Sequence, residues 1–274
     1  MKKTIKATLL VLFAGALTFT SCKKEETGSG AVTATGDACR ITQFSASIFG
    51  IDQTSNFTYN SSKQLIEITS ADGGKEKFTY TSAGLIGTYE SYTNDTLNEY
   101  KVYTYNGNQL ATETAYNVTD GVKGSIQSIS RYTYTAGKLT KKDTYSVDPT
   151  TNEETKISYT NFDTDAKGNI TLSEDYNRDS DSTFAFSSSE KYTYGTDVSN
   201  KGLNWTFGSG VEFWNNTYLP LTNVTESFAG VGQPNDVSTT TFTYSNKNAN
   251  GFPATINGNM GTLNVTATAT YTCP

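Results

Sequence analysis

Few side chains in this chain could take part in catalysis, and the absence of one residue type already excludes several classes of active site. The 274 residues include no histidine. Its absence removes the commonest general base and metal ligand, and with it the Ser-His-Asp, Cys-His and His-zinc arrangements. The net charge is −6 and the basic residues are dispersed, whereas nucleic-acid binding uses a concentrated basic face. We therefore expect no catalytic site, no metal, no cofactor and no nucleic-acid partner.

One aromatic segment is the main candidate for ligand binding. Both tryptophans, Trp205 and Trp214, lie within ten residues around a Gly-Ser-Gly turn, with Phe207 and Phe213 between them. Aromatic faces at a loop tip can stack on sugar rings or on a protein partner, and insertions in a repeat often carry function. The alternative is that the four rings plug one end of the domain, because large aromatic side chains dominate cores as well as interfaces.

Acidic residues form a second candidate group. Asp175, Asp179 and Asp181 alternate along a polar stretch, and oxygen ligands at this spacing can hold calcium. An EF-hand loop that starts at Asp175 would need glycine at its sixth position, where this chain has Ser180. Carboxylates solvated in turns are therefore the preferred interpretation. A carboxylate pair for glycoside hydrolysis would need a defined separation across a cleft.

Residues 1–21 are typical of a signal peptide. Lysines precede an apolar run over 9–17 that is too short to span a bilayer as a stable helix. The run ends at Ser21-Cys22, which resembles the bacterial lipobox, where a small residue precedes the cysteine that is lipidated. The alternative is an ordinary signal peptide with an unrelated cysteine. Lipidation of Cys22 would anchor the chain to a membrane.

The segment 22–38 is expected to be a flexible tether, since its Gly, Ser, Ala and Thr residues leave almost nothing to bury. It begins with a charged cluster over 23–26, which resembles the export signal of surface lipoproteins in Bacteroidota. The alternative is a solvated linker. The expected location is the outer membrane, facing either the cell surface or the periplasm, with residues 39–274 as a single domain.

The domain contains a repeat, which determines the fold prediction. An aromatic-Thr-Tyr triplet is followed by a short turn and by Leu or Ile at the start of another strand. The first four triplets lie 21, 25 and 29 residues apart, which equals two strands plus two turns. The triplets begin at Phe57, Phe78, Tyr103, Tyr132, Tyr192 and Phe242, with a degenerate copy at Tyr159.

The alternation of apolar and polar side chains along the strands indicates whether such a sheet lies in a membrane or in water. In the last strand apolar residues such as Val265 alternate with polar ones such as Thr266. By the same rule, the adjacent carboxylates of Glu174 and Asp175 should diverge. A transmembrane barrel needs an apolar outer band, in which a central charge costs about 2–4 kcal/mol, yet the polar face here carries charges. We predict an all-β fold, an antiparallel up-and-down meander that forms a soluble closed or partly open β-barrel.

Two cysteines bracket this domain. Cys39 opens the first candidate strand and Cys273 closes the last. Disulfides form in exported proteins, and lipidation of Cys22 leaves an even pair. A meander that curls round brings its first and last strands together. We therefore predict a Cys39–Cys273 disulfide that locks the closure; the alternative is two free thiols.

The repeat and the lipobox together resemble a family of Bacteroidota lipoproteins of unknown function with a porin-like β fold. The resemblance covers 39–273 and includes the segment 250–256. The segment 165–171 is also similar to the tyrosine-rich YD repeats of large bacterial shell proteins. The family implies no activity. We expect a non-catalytic binding module for a glycan, peptide or partner protein; the alternatives are a structural scaffold without ligand and a carboxylate-based glycosidase.

Overall fold

A computed structural model describes residues 39–48, 51–199, 218–229, 233–249, 251–261 and 263–273. Within these ranges the chain forms sixteen strands and no helix. The described residues accordingly offer no helix with the length and apolar character to cross a bilayer. The strands are β1 (Arg40–Ile48), β2 (Ile51–Tyr59), β3 (Leu65–Ser70), β4 (Gly74–Tyr80), β5 (Ile86–Thr93), β6 (Thr96–Asn106), β7 (Gln109–Thr119), β8 (Val122–Thr135), β9 (Lys138–Val147), β10 (Glu154–Thr164), β11 (Ile170–Arg178), β12 (Phe184–Ser199), β13 (Tyr218–Ser227), β14 (Asp236–Lys247), β15 (Pro253–Met260) and β16 (Leu263–Thr272).

The sheet is an antiparallel meander that closes on itself. Each strand pairs with its neighbours in sequence, and β1 pairs with β16 from Arg40↔Thr272 to Ser47↔Thr266. Closure satisfies the backbone groups that an open edge would leave unpaired. The predicted all-β meander is confirmed, and the barrel is closed rather than partly open.

The predicted disulfide is present at this seam. Cys39, directly before β1, is bonded to Cys273, directly after β16, and their Cα atoms lie 4.2 Å apart. The amide Nδ2 of Asn248 lies 3.5 Å from the sulfur of Cys273. We call the end of the barrel that holds this bond the disulfide end and the opposite end the mouth.

Four turns at the disulfide end share one design. A polar residue opens a five-residue turn, its backbone N–H donates to the carbonyl of the fifth residue, and its side-chain oxygen accepts the N–H of that fifth residue. The fourth residue has a positive φ, which favours glycine. In the turn that starts at Asp165, for example, Gly168 has a φ of 85°. These turns are Asn60–Gln64, Thr81–Leu85, Asp165–Asn169 and Asn248–Phe252.

The contacts of the tyrosine that ends each triplet explain why the repeat has tyrosine at this position. Its ring packs against the core, and in four of the triplets its hydroxyl donates to a backbone carbonyl at the start of the preceding strand. Tyr271 on β16, which lies outside the triplets, makes the same kind of bond. We call these bonds the tyrosine ladder. The pairs are Tyr59 to Ile41 (2.8 Å), Tyr80 to Leu65 (2.7 Å), Tyr194 to Ile170 (2.6 Å), Tyr244 to Pro220 (2.6 Å) and Tyr271 to Pro253 (2.7 Å).

The degenerate copy lies three residues later than we predicted. Phe162, which is buried, lies three residues before the turn at Asp165, as Phe57 and Phe78 lie three residues before their own turns. Thr164 therefore stands where the others have tyrosine. Tyr159 faces outward, and its ring stacks on Tyr176 with centroids 4.7 Å apart. The prediction was wrong because a run of alternating aromatic and polar residues does not reveal which aromatic faces inward.

The tyrosine ladder makes a testable prediction with an internal control. Tyr80→Phe removes a buried hydroxyl donor and leaves the carbonyl of Leu65 without it, so we expect a loss of about 1–2 kcal/mol in the free energy of unfolding. The hydroxyl of Tyr105, at the equivalent position, is buried without a hydrogen-bond partner. Tyr105→Phe should therefore be neutral or stabilising. Urea unfolding of both variants measures the difference, and equal losses would contradict the role of the ladder.

The buried core occupies the disulfide end and extends along one side of the wall. At the disulfide end, apolar residues at the strand starts point inward. On β1–β3, β15 and β16, apolar side chains continue towards the mouth. On β4–β14 the inward positions nearer the mouth are polar, so the interior is divided into an apolar base and a polar chamber. The most buried apolar side chains are Cys39, Ile41, Leu65, Ile86, Ile170, Ile256, Val265 and Ala267.

Candidate functional site

The polar chamber, which we call the lumen, is defined by the inward positions of β4–β14. Side chains alternate along a strand, so the position two residues from a buried core residue also faces inward. Glu76 therefore faces inward, because it lies two residues from Phe78. Lys101 and Glu99 also face inward, because they lie two and four residues from Tyr103. The side chain of Glu99 is 44% exposed, whereas Thr160, deeper in the barrel, is buried. The lumen therefore opens towards the mouth and narrows to the packed base.

One wall of the lumen carries an ion cluster on β4–β7. The ammonium of Lys101 lies 2.8 Å from a carboxylate oxygen of Glu99 and 3.6 Å from one of Glu113. The same ammonium lies 5.7 Å from the ring centroid of Tyr89. One lysine therefore bridges two carboxylates that different strands contribute. This wall supplies its own cation.

Glu76 belongs to the same wall but has no ion-pair partner within 4 Å among the described residues. The pKa of its carboxyl is raised to about 7, chiefly by burial among the wall side chains; the nearby Glu99 also raises this pKa, and Lys101 lowers it. A carboxyl with a pKa near neutrality exchanges its proton in the physiological range. Such groups concentrate at functional sites.

A second acidic group lies on β11–β13. Asp175 and Glu190 occupy diagonal inward positions, since Asp175 pairs with Ser188 and Glu190 with Ser173. The carboxylate of Asp175 accepts bonds from Thr160 (2.6 Å) and Ser188 (3.2 Å). Hydroxyl groups rather than cations therefore hold this carboxylate.

The second carboxylate of this group is held in a similar way. Glu190 accepts a hydrogen bond from the hydroxyl of Tyr192, and burial raises the pKa of its carboxyl. The amide of Asn223 also donates to Glu190. Neither Asp175 nor Glu190 has a lysine or arginine ion-pair partner within 4 Å among the described residues.

The described wall of the lumen is acidic. Among the inward-facing positions of the described strands, six side chains are acidic and two are basic. A wall of one sign focuses its field within the enclosed space and raises the local concentration of the opposite charge. The acidic residues are Glu76, Glu99, Glu113, Asp175, Glu190 and Asp236, and the basic ones are Lys101 and Lys142.

The ligand-binding and lipidation sites predicted from the sequence lie in parts of the chain that the structure does not describe. Trp205, Phe207, Phe213 and Trp214 lie outside the described residues, in a segment whose flanking strands β12 and β13 meet it at the disulfide end. Cys22 is also outside them. The aromatic platform and the lipid anchor therefore stay predictions.

The acidic candidates divide between the lumen and a turn. Asp181 caps a turn at the mouth, where its oxygen accepts the N–H (3.1 Å) and the hydroxyl (2.7 Å) of Thr183. The turn interpretation therefore fits Asp181 and is wrong for Asp175, which faces the lumen. Glu174 pairs with outward-facing Asn161, so the expected divergence of Glu174 from Asp175 is confirmed. The described residues contain no group of three or more side chains that could hold a metal ion.

The sequence reasoning missed Glu76, Glu190 and Asn223. In the sequence Glu76 lies between two lysines, so it resembles a solvated charge. The signal that could have found it is its distance of two residues from Phe78, the first aromatic of a triplet. Applied to Tyr192, the same rule identifies Glu190.

Comparison with known proteins yields structural resemblance alone. No family model and no curated protein matches the chain. A porin-like protein from Bacteroides vulgatus ATCC 8482 aligns over 86% of this chain and 99% of its own, with 10% identity and a TM-score of 0.48. A porin-like protein from Bacteroides uniformis ATCC 8492 aligns over the same shares with 13% identity and a TM-score of 0.33. A protein of unknown function from Bacteroides fragilis NCTC 9343 aligns over 50% of this chain and 86% of its own, with 15% identity and a TM-score of 0.35. These low scores describe a general likeness in shape and say nothing about function.

Proposed function

We propose that this chain is a lipid-anchored envelope protein whose barrel is a non-catalytic binding module, with the lumen as its binding chamber. The observation that carries the proposal is the division of the interior. A barrel that served only as a scaffold would have no use for ionised side chains that are partly buried in its interior, because each one costs desolvation energy. Here, polar and ionised side chains face inward over the half nearer the mouth, where they are available to a ligand.

The outer face supports a barrel that stands in water. Ion pairs lie on it, including Arg131 with Glu154 at 2.7 Å and Lys156 with Asp143 at 2.6 Å. The ammonium of Lys123 lies 3.9 Å from the ring centroid of Tyr116. In hydrocarbon, each charge near the bilayer centre would cost about 2–4 kcal/mol. We therefore propose attachment through lipid on Cys22 rather than through the strands.

The direction in which the chain enters the barrel gives the anchor a consequence for binding. β1 begins at the disulfide end, and Cys39 lies 17 positions after Cys22. A fully extended tether of that length spans about 60 Å. With lipid on Cys22, the tether would join the barrel at the disulfide end, opposite the mouth, and so would leave the mouth unobstructed. The family resemblance in the repeat and the lipobox would place this membrane in the envelope of a member of the Bacteroidota.

Blocking the lumen tests the proposal. Ser128 faces inward on β8, where it pairs with Ser146, and Thr133 faces outward on the same strand. The binding of three soluble probes, namely trilysine, maltohexaose and an oligogalacturonate, is measured by calorimetry. We expect at least one probe to bind, Ser128→Trp to weaken that binding at least about tenfold, and Thr133→Trp to preserve it. Equal binding to the two variants would contradict the chamber, and no binding of any probe would favour the scaffold.

A carboxylate-based glycosidase is the second candidate, favoured by one observation. The carboxyl of Glu76 has a pKa of about 7 with Glu99 nearby, and glycosidases combine a raised-pKa acid with a second carboxylate. However, the carboxylates of Glu99 and Glu113 are bridged by Lys101. Hydrolysis of chromogenic glycosides that Glu76→Gln abolishes would support the enzyme over the binding module.

A further inference from the structure

We infer that the lumen binds a ligand carrying a protonated amine, and that Asp175, Glu190 and Asn223 form its site. We call these three residues the acceptor site. This inference rests on the proposed function and adds to it the chemical class of the ligand.

The acceptor site brings three acceptor side chains together on adjacent strands. Ser173 and Asp175 on β11 pair with Glu190 and Ser188 on β12, so the two carboxylates are diagonal neighbours. On the next strand, Asn223 pairs with Tyr192, two residues from Glu190. Diagonal neighbours on one face of a sheet lie within about 8 Å of each other, so Glu190 is close both to Asp175 and to Asn223. A single small group can therefore contact more than one of them.

An unsatisfied acceptor marks the position of the missing donor. The side chain of Asn223 faces the lumen and is only 7% exposed. Because its Nδ2 donates to Glu190, its Oδ1 is left over, and this atom has no hydrogen-bond partner. A buried acceptor without a donor is costly, by about 1–3 kcal/mol. A ligand N–H that reached this oxygen would remove that cost.

Comparison of the two acidic walls indicates the charge of the ligand. On the first wall, Lys101 bridges Glu99 and Glu113. On the second wall, Asp175 and Glu190 have only hydroxyl and amide donors, from Thr160, Ser188, Tyr192 and Asn223. Polar donors orient a carboxylate but leave its charge in place. Among the described residues no lysine or arginine lies within 4 Å of either carboxylate of the second wall, although Lys142 faces inward two strands from Asp175. A ligand ammonium would provide that contact.

The geometry favours an organic ammonium over a metal ion. The described residues hold no group of three or more carboxylate or thiol side chains that could bind a metal. The acceptor site instead combines two carboxylates with one neutral amide oxygen. A primary ammonium has three N–H donors, so it can bond to Glu190 together with one of its two neighbours in the acceptor site, and N–H bonds to carboxylates are among the stronger hydrogen bonds.

Two probe pairs test the chemical class, and within each pair only the charge changes. The first pair is a glucosamine trimer and its N-acetylated form, and the second is trilysine and its fully acetylated form. Binding to the full barrel domain is measured by calorimetry. We expect an amine to bind at least about tenfold more tightly than its acetylated partner. The sugar and peptide arms reveal which source of amine the lumen accepts.

A matched pair of variants tests the site. Glu190→Gln removes a lumen charge, whereas Glu174→Gln removes the same charge from the outer face of the adjacent strand. We expect Glu190→Gln to weaken binding of the amine at least about tenfold and Glu174→Gln to change it less than about twofold. Asn223→Leu should also weaken binding, while its thermal melt verifies that the barrel is folded.

The failures of this inference and of the proposed function are distinguishable. If Ser128→Trp blocks a probe that binds equally well when acetylated, the lumen is a binding chamber but not for amines. If the amine binds and Glu190→Gln and Glu174→Gln behave alike, the acceptor site is wrong. If no amine probe binds at millimolar concentration, the inference is overturned whatever the neutral probe does.

Discussion

Replacing Cys39 and Cys273 by serine should lower the free energy of unfolding by up to about 5 kcal/mol. The bond links residues 234 positions apart, so it restricts almost the whole described domain in the unfolded state. Chain-entropy arguments assign their largest effect to such long loops. Urea unfolding of the double serine variant against the oxidised protein measures the loss.

The strands that open more often without the disulfide are as informative as the size of the loss in stability. The pairing of β1 with β16 remains available without the bond, so we expect the barrel to form and the seam to open more often. Hydrogen exchange should accelerate first in β1 and β16. The chemically reduced native protein is the control and should match the serine variant. A loss below about 1 kcal/mol, or uniform acceleration across all strands, would show that the bond does not hold the seam.

Glu76→Gln should remove a pH-dependent destabilisation of the barrel. The carboxyl has a pKa of about 7 in the folded protein against a reference value of 4.5. The folded state therefore binds the proton more tightly, and stability falls as the pH rises from about 4.5 to 7, remaining low above that. The penalty amounts to at most about 3 kcal/mol at pH 8. The variant should match the native protein near pH 4 and exceed it in stability at pH 8.

The control for this prediction is Glu67→Gln, which removes a carboxylate from the outer face of β3, opposite Lys77. Denaturant unfolding of the three proteins at pH 4, 6 and 8 provides the comparison. Burial also raises the pKa of Glu190, so some loss of stability at high pH should remain in the variant. Parallel pH profiles for the native protein and Glu76→Gln would show that Glu76 is ionised without penalty.

The barrel was predictable because its turns and triplets are local signals. Glycine at positive φ and the aromatic-Thr-Tyr spacing report strand ends directly, and the disulfide followed from closure. The polar lumen was not predictable from alternation alone. In a barrel of sixteen strands the interior is wide enough for polar side chains and water, so an inward position need not be apolar. Glu76 and Asp175 therefore resemble outward charges until their register with Phe78 and Phe162 is known.

The covalent joining of the first and last strands at one end also determines how the barrel responds to a pulling force. A load applied through the segment before Cys39 reaches β1 at its first residue. Without a covalent link, that load would peel β1 from β16 and β2 one bonded pair at a time. With the link to Cys273, β1 and β16 share the load before any pair breaks. The bond thus acts as a mechanical clamp at the point where an anchored domain would be pulled.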